Sequence, residues 1–153
     1  MIKGLHEEVK VVQVVPPETV TATLTTYNNT TAAAASGIDT QGFDEMLVEL
    51  SLGAITGTLD VAVFDSATDD GEAATAFTDG SGTAADFDQL GSSDDDKTLI
   101  IRVRARDMKR YCFIKVTNAD ASSKAFGINV LLAGAEDQPV TQDNTVDFDH
   151  QNP

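Results

Sequence analysis

A chain of 153 residues has the length of one domain and enough mass to bury a core without disulfides or metals. Its 25 acidic and 10 basic residues give a net charge of −15. That balance excludes a phosphate-binding surface for nucleic acid and adhesion to an anionic membrane, and it favours solubility. One cysteine, Cys112, excludes an intrachain disulfide, and between Tyr111 and Phe113 it reads as a buried small hydrophobe.

Residues 1–10, MIKGLHEEVK, lack the apolar stretch of a signal peptide. No run of about 18 apolar residues is present to cross a bilayer. The expected place of synthesis is a cytoplasm.

Residues 9–15 are a β-branched run predicted to form a strand that stops at Pro16-Pro17. Residues 19–27 alternate Val20, Ala22 and Leu24 with threonines, the period of a half-buried strand. Residues 28–42 are polar and alanine-containing and read as loop. In 43–52, Val48, Leu50 and Leu52 share one face, opposite Glu49 and Ser51. In 58–64, Leu59, Val61 and Val63 share one face, opposite Asp60. The link 53–57 holds two glycines and has the length of a hairpin loop.

Residues 65–96 read as mostly loop, with 74–77 as the strand candidate, and so long a loop often carries function. Three strong strands follow. Residues 98–105 alternate Leu99, Ile101, Val103 and Ala105 against Ile100, Arg102 and Arg104; residues 111–117 come after a turn; residues 126–133 alternate Phe126, Ile128, Val130 and Leu132. From Gly134 the chain turns polar and reads as an extended, mobile tail.

About eight short strands and no amphipathic helix predict an all-β fold: an antiparallel β-sandwich, jelly-roll-like because the loops are uneven. The expected layout is an N-terminal arm at 1–10, a sandwich domain at 11–133 and a C-terminal tail at 134–153. The expected core is Val48, Leu50, Leu59, Val61, Leu99, Ile101, Val103, Ile114, Val116, Ile128, Val130 and Leu132.

Charge is segregated along the chain. Between Lys10 and Lys97 there is no basic residue, while Lys97, Arg102, Arg104, Arg106, Lys109, Arg110 and Lys115 crowd into one short stretch. Arg102, Arg104 and Arg106 are two apart and are predicted to share one strand face, with Arg110 close by after the turn. Two readings stay open: a solvated face paired with acidic residues of neighbouring strands, or a basic stripe that binds an acidic patch on another subunit.

Catalytic chemistry is hard to place. His6 and His150 lie near the two ends with no evident partner, so a dyad with Cys112 is not expected. There is no nucleophile elbow, P-loop or dinucleotide fingerprint. Residues 65–71 resemble half a calcium loop, but Ala67 and Asp70 stand where a ligand and a glycine belong. Asp94-Asp95-Asp96 offers carboxylates that could ligate a cation in a loop, but it reads first as a solvated acidic loop. No Trp and only two Tyr argue against a sugar cleft. Asn28 and Asn29 match glycosylation acceptors and are discounted without a signal peptide. No enzyme activity, metal or cofactor is expected.

The order of features carries a resemblance. The start MIKGLHEEVKVVQVVPP leads into a strand, Gly42-Phe43-Asp44 precedes two strong strands, an Asp- and Thr-rich loop follows, and Arg110-Tyr111 opens a late strand before an acidic tail. This is similar to small head proteins of tailed bacteriophages, and it resembles the capsid decoration, or cement, proteins. The resemblance implies a β-sandwich or jelly-roll domain without enzyme activity. It implies a homo-oligomer, with a trimer favoured, that clamps major capsid protein subunits on the capsid exterior. A binding module of a phage tail or baseplate, recognising carbohydrate or host surface, is the alternative. No residue is carried over from the family; Arg102, Arg104, Arg106 and Arg110 are the partner-binding candidates, on charge alone.

Overall fold

Residues 8–136 are described by a computed structural model, and the outer parts of both expected arms, 1–7 and 137–153, lie outside them. The strands are β1 (Val9–Val20), β2 (Leu24–Tyr27), β3 (Ile38–Asp39), β4 (Glu45–Ile55), β5 (Leu59–Ser66), β6 (Thr75–Ala76), β7 (Asp86–Leu90), β8 (Thr98–Arg104), β9 (Tyr111–Asn118) and β10 (Lys124–Ala133). Every pairing is antiparallel.

One sheet has the order β1-β10-β4-β8. The other is built on β2-β9-β5-β6, with β3 also on β9 and β7 also on β5. Each sheet is thus four strand positions wide, and most links pass from one sheet to the other. That is jelly-roll topology.

Period-two alternation explains the packing. Met46, Val48, Leu50 and Leu52 of β4 are buried, as are Leu59, Val61 and Val63 of β5, Ile114 and Val116 of β9, and Ile128, Val130 and Leu132 of β10. The core expected from sequence is buried throughout except Leu99, which is half-buried on edge strand β8. Phe77, at the end of the 74–77 strand candidate, and Leu90, read as loop, are among the residues that complete it.

Two expectations are corrected. β1 runs through Pro16-Pro17 and ends at Val20. It is an edge strand, where a missing N–H need not break a ladder, and register shifts at Gln13/Val15 and Val15/Glu18 absorb the irregularity. The link 53–57 is no hairpin, because β4 and β5 lie in different sheets. It is an arch, with Thr56 N donating to Ser123 O (2.8 Å) and Thr58 N to Asp120 Oδ2 (3.2 Å). Gly57 has φ +78° there, and a Cβ on it would collide with Asp120 and Ser122.

That arch and the β9–β10 link close one end of the sandwich over Lys124. This residue is fully buried, and its ammonium donates to Asp120 Oδ1 (2.6 Å), Ser122 Oγ (2.7 Å) and Ser122 O (3.3 Å).

The outer face of the β9 sheet carries a second apolar layer. Phe113 points outward yet is buried, because the 28–37 segment lies over it. Asn28 fixes that segment by donating to Ser36 O (2.8 Å) and accepting from Ile114 N (2.8 Å). A Cβ on Gly37 would sit 2.7 Å from Tyr111 Cβ and 2.9 Å from Phe113 Cζ. Gly37→Ala is therefore expected to lose roughly 1–3 kcal/mol through overpacking, read from the denaturant midpoint.

Cys112 is fully buried on β9. Desolvation first, and the charge of Asp65 second, push its thiol far above the usual range. A thiol reagent is expected to modify the native protein only as fast as it unfolds; rapid modification under native conditions would contradict that burial.

Candidate subunit interface

β8 ends the β1-β10-β4-β8 sheet, so one side of its backbone faces no strand. The ladder to β4 shows which groups are spare. Leu52 N donates to Lys97 O (2.8 Å) and Ala105 N donates to Asp44 O (2.9 Å). By the alternation of antiparallel pairs, the odd-numbered residues of β8 bond β4, while Ile100, Arg102 and Arg104 turn their N–H and C=O groups to the open edge. Their side chains lie on the outer sheet face. Ile100 is 58% exposed, the large hydrophobic residue that stands out to solvent among the described residues.

The four candidate arginines do not form one stripe. β8 stops at Arg104, and Arg106 sits in the 3-10 turn Ala105–Asp107 that follows. Arg102 Nε donates to Glu45 Oε2 (2.9 Å) as a diagonal cross-strand pair, and Arg106 Nε lies 3.8 Å from Asp44 Oδ1. Arg104 faces Glu45 in the ladder and has no ion pair among the described residues.

Arg110 directly precedes β9 of the other sheet. It forks onto Asp39 of β3 (2.8 Å from Nη2, 3.3 Å from Nε) and lies 5.1 Å from the Tyr111 ring centre. The sequence missed this partition because β3 lies in the stretch left as loop.

Three guanidinium groups thus gather about two carboxylates, with Arg104 in surplus. The hydrogen bond from Arg102 holds the Glu45 carboxyl below its usual range, and the charges of Arg102, Arg104 and Arg106 add to it. A hydrogen bond from Arg110 lowers Asp39 in the same way. On a chain of net charge −15 this is a local positive spot.

Beside the β8 edge runs a groove of about 600 Å³, walled across by residues of 77–87 and floored by Phe77, Phe87, Ile101 and Val103. Asp79 and Asp86 stand on its far wall. An extended segment fits such a place: backbone groups wait on one side, and the groove on the other is lined by polar and apolar residues alike.

The acidic loops serve the fold. Asp69 accepts from Gly37 N and Ser36 Oγ, and Asp70 accepts from Glu72 N (2.9 Å). Asp94 accepts from Gly91 N (3.1 Å) and Lys97 Nζ (3.1 Å), and Asp95 accepts from Ile55 N (2.7 Å). No group of three His, Cys, Asp or Glu placed to hold a metal ion occurs among the described residues.

No protein-family model matches the chain, and no curated protein matches its sequence. Among solved structures it is similar to the infectious bursal disease virus VP2 subviral particle, with TM-score 0.53 and 11% identity over 84% of this chain and 33% of that one. The chain therefore spans about a third of that protein's length. It is similar also to the Gx strain structure of the same virus (TM-score 0.40, 8% identity, 82% of this chain and 32% of that one). A third likeness is to the disulfide-linked pili of Bacillus endospore appendages (TM-score 0.36, 13% identity, 89% of this chain and 98% of that one). From the sheet order and the first likeness together, the chain has an antiparallel β-sandwich fold of jelly-roll type, which it shares with that VP2 structure.

Proposed function

We propose that the chain is a non-catalytic structural virion protein that decorates and stabilises a bacteriophage capsid by binding major capsid protein subunits. In this reading it sits on the capsid exterior as a homo-oligomer, with a trimer favoured. The observation that carries the reading is an open, arginine-bearing strand edge on a jelly roll that shares its fold with a viral capsid protein. The charge of −15 keeps the free subunit soluble. Arg102 and Arg104 add a local basic contact whose planar donors suit carboxylates of a neighbouring subunit.

Charge reversal tests this. Arg102→Glu with Arg104→Glu should leave the melting temperature within a few degrees, since both side chains are exposed. Assembly and binding to capsids at low salt should weaken by about tenfold or more, and the wild-type contact should weaken as salt rises. Wild-type assembly and decoration by the double variant at low salt would reduce these arginines to a solvated face.

A further inference from the structure

Residues that point away from the core of an antiparallel sheet are ordinarily polar. On the β1-β10-β4-β8 sheet the ladders set them in rows that cross all four strands. Gln13, Asn129, Glu49 and Ile100 form one row; Val11, Leu131, Leu47 and Arg102 the next; Val9, Ala133, Glu45 and Arg104 the last. The first row is mostly polar, as expected. The other two are apolar on β1 and β10 and turn charged only at Glu45 and β8. Leu47, Leu131 and Ala133 are half-buried there, outside the core.

A groove of about 420 Å³ follows these two rows across the strands. Val9, Ala133, Leu131 and Leu47 line it, and Glu45 and Arg102 stand at its β8 end. A hollow of Glu45, Arg102 and Arg104 adjoins it there. Glu45 is taken by Arg102, whereas Arg104 has no ion pair among the described residues. The floor is thus apolar, and at one end only it meets a guanidinium without a carboxylate.

Those features fix the chemistry of what fits. Four strands about 4.8 Å apart make a floor roughly 14 Å long, the reach of about four extended residues. An extended segment lying across the strands turns alternate side chains down. Apolar side chains there cover Leu131 and Leu47, and an acidic residue beyond them meets Arg104, whose planar fork suits a carboxylate.

The same face of a second copy does not supply that chemistry. Stacked about an axis along the strands, the arginines of each copy lie over β1 of the other, whose outward residues are Val9, Val11 and Gln13. Stacked about an axis across the strands, the arginine-bearing strands of both copies lie together, and like charges oppose the contact.

We infer that this groove seats an extended segment of the major capsid protein, with alternate apolar side chains over Leu131 and Leu47 and a carboxylate on Arg104. The inference rests on the proposed capsid decoration and names the surface and the kind of segment that make the contact.

Capsids assembled without this chain are the probe, and the full-length protein is added to them. Hydroxyl radicals should oxidise Leu47 and Leu131 of wild type at least about fivefold more slowly on capsids than in the free protein, because an interface core excludes water. Leu47→Thr with Leu131→Thr keeps strand-forming residues at both positions. It should bind capsids at least about tenfold more weakly, by the same factor at low and high salt, since the lost contact is apolar. Arg104→Gln should weaken binding at low salt and flatten its salt dependence. Gln13→Thr with Asn129→Thr, one row away, should bind as wild type does.

Capsid binding with both leucines as reactive as in the free protein, or with full affinity in the leucine variant, overturns the groove and leaves capsid decoration standing. A wild-type protein that does not bind capsids overturns both. Protection of the two leucines in a capsid-free oligomer gives the groove to a second copy and overturns its assignment to the capsid.

Discussion

Leu50→Ala is expected to lose roughly 3–5 kcal/mol of stability, a large share of the 5–15 kcal/mol typical of a domain. Leu50 is fully buried on β4, a strand flanked on both sides, and its ladder partners are Ile128 and Leu99. Truncation removes apolar area and leaves a cavity between two sheets whose backbones are tied by continuous ladders, so the site cannot collapse around it. Leu99→Ala, one strand further out and half-buried, should lose less than half as much. Urea unfolding of both variants checks the order, with unchanged slope and lowered midpoint. Equal losses would mean that the sandwich centre does not lie at β4.

Asp120→Ala should lower the melting temperature by about 10 °C, more than any single surface substitution elsewhere. Asp120 is partly exposed, but the charge it answers is not: Lys124 is fully buried, and its remaining partners are the hydroxyl and carbonyl of Ser122. Removing the carboxylate leaves a buried ammonium without an anion, while Thr58 N and the Ser122 hydroxyl and N–H lose the same acceptor. Lys124→Met removes charge and ion pair together and fills similar volume, so it should be far milder than Asp120→Ala.

The pH dependence follows. Hydrogen bonds from Lys124 and then Ser122 push the Asp120 carboxyl well below its usual range. Its folded value is depressed, so its contribution is complete above the ordinary carboxylate value of about 4 and is lost as pH falls through the folded value. Wild type should therefore lose stability below about pH 4 more steeply than Asp120→Ala. Parallel acid unfolding curves would contradict this account of the arch.

The inner faces of β4, β5, β9 and β10 were legible in the sequence because Val, Leu and Ile recur there at period two. β7 was not. Asp86-Phe87-Asp88-Gln89-Leu90 breaks the period: Gln89 has φ +54°, and the register to β5 shifts between Leu59 and Val61. The course of β1 through Pro16-Pro17 depends on its lying at a sheet edge, which no local signal encodes. The 53–57 link has a hairpin's length, but its arch depends on Asp120 and Ser123, more than sixty residues away in sequence. The arginines were found by charge, and their division was hidden in pairing: Glu45 and Asp44 hold Arg102 and Arg106, and Asp39 takes Arg110 into the other sheet. The open edge of β8 is a property of strand order alone and could not be read from the residues.

The most direct test of the proposed capsid decoration is an electron cryomicroscopy reconstruction of particles made with this chain, compared with particles made without it. Capsid decoration predicts ordered jelly-roll density on the capsid exterior, contacting neighbouring major capsid protein subunits and missing from the particles that lack the chain. Density for the chain confined to the tail tip, or a capsid surface identical in the two reconstructions, would contradict it.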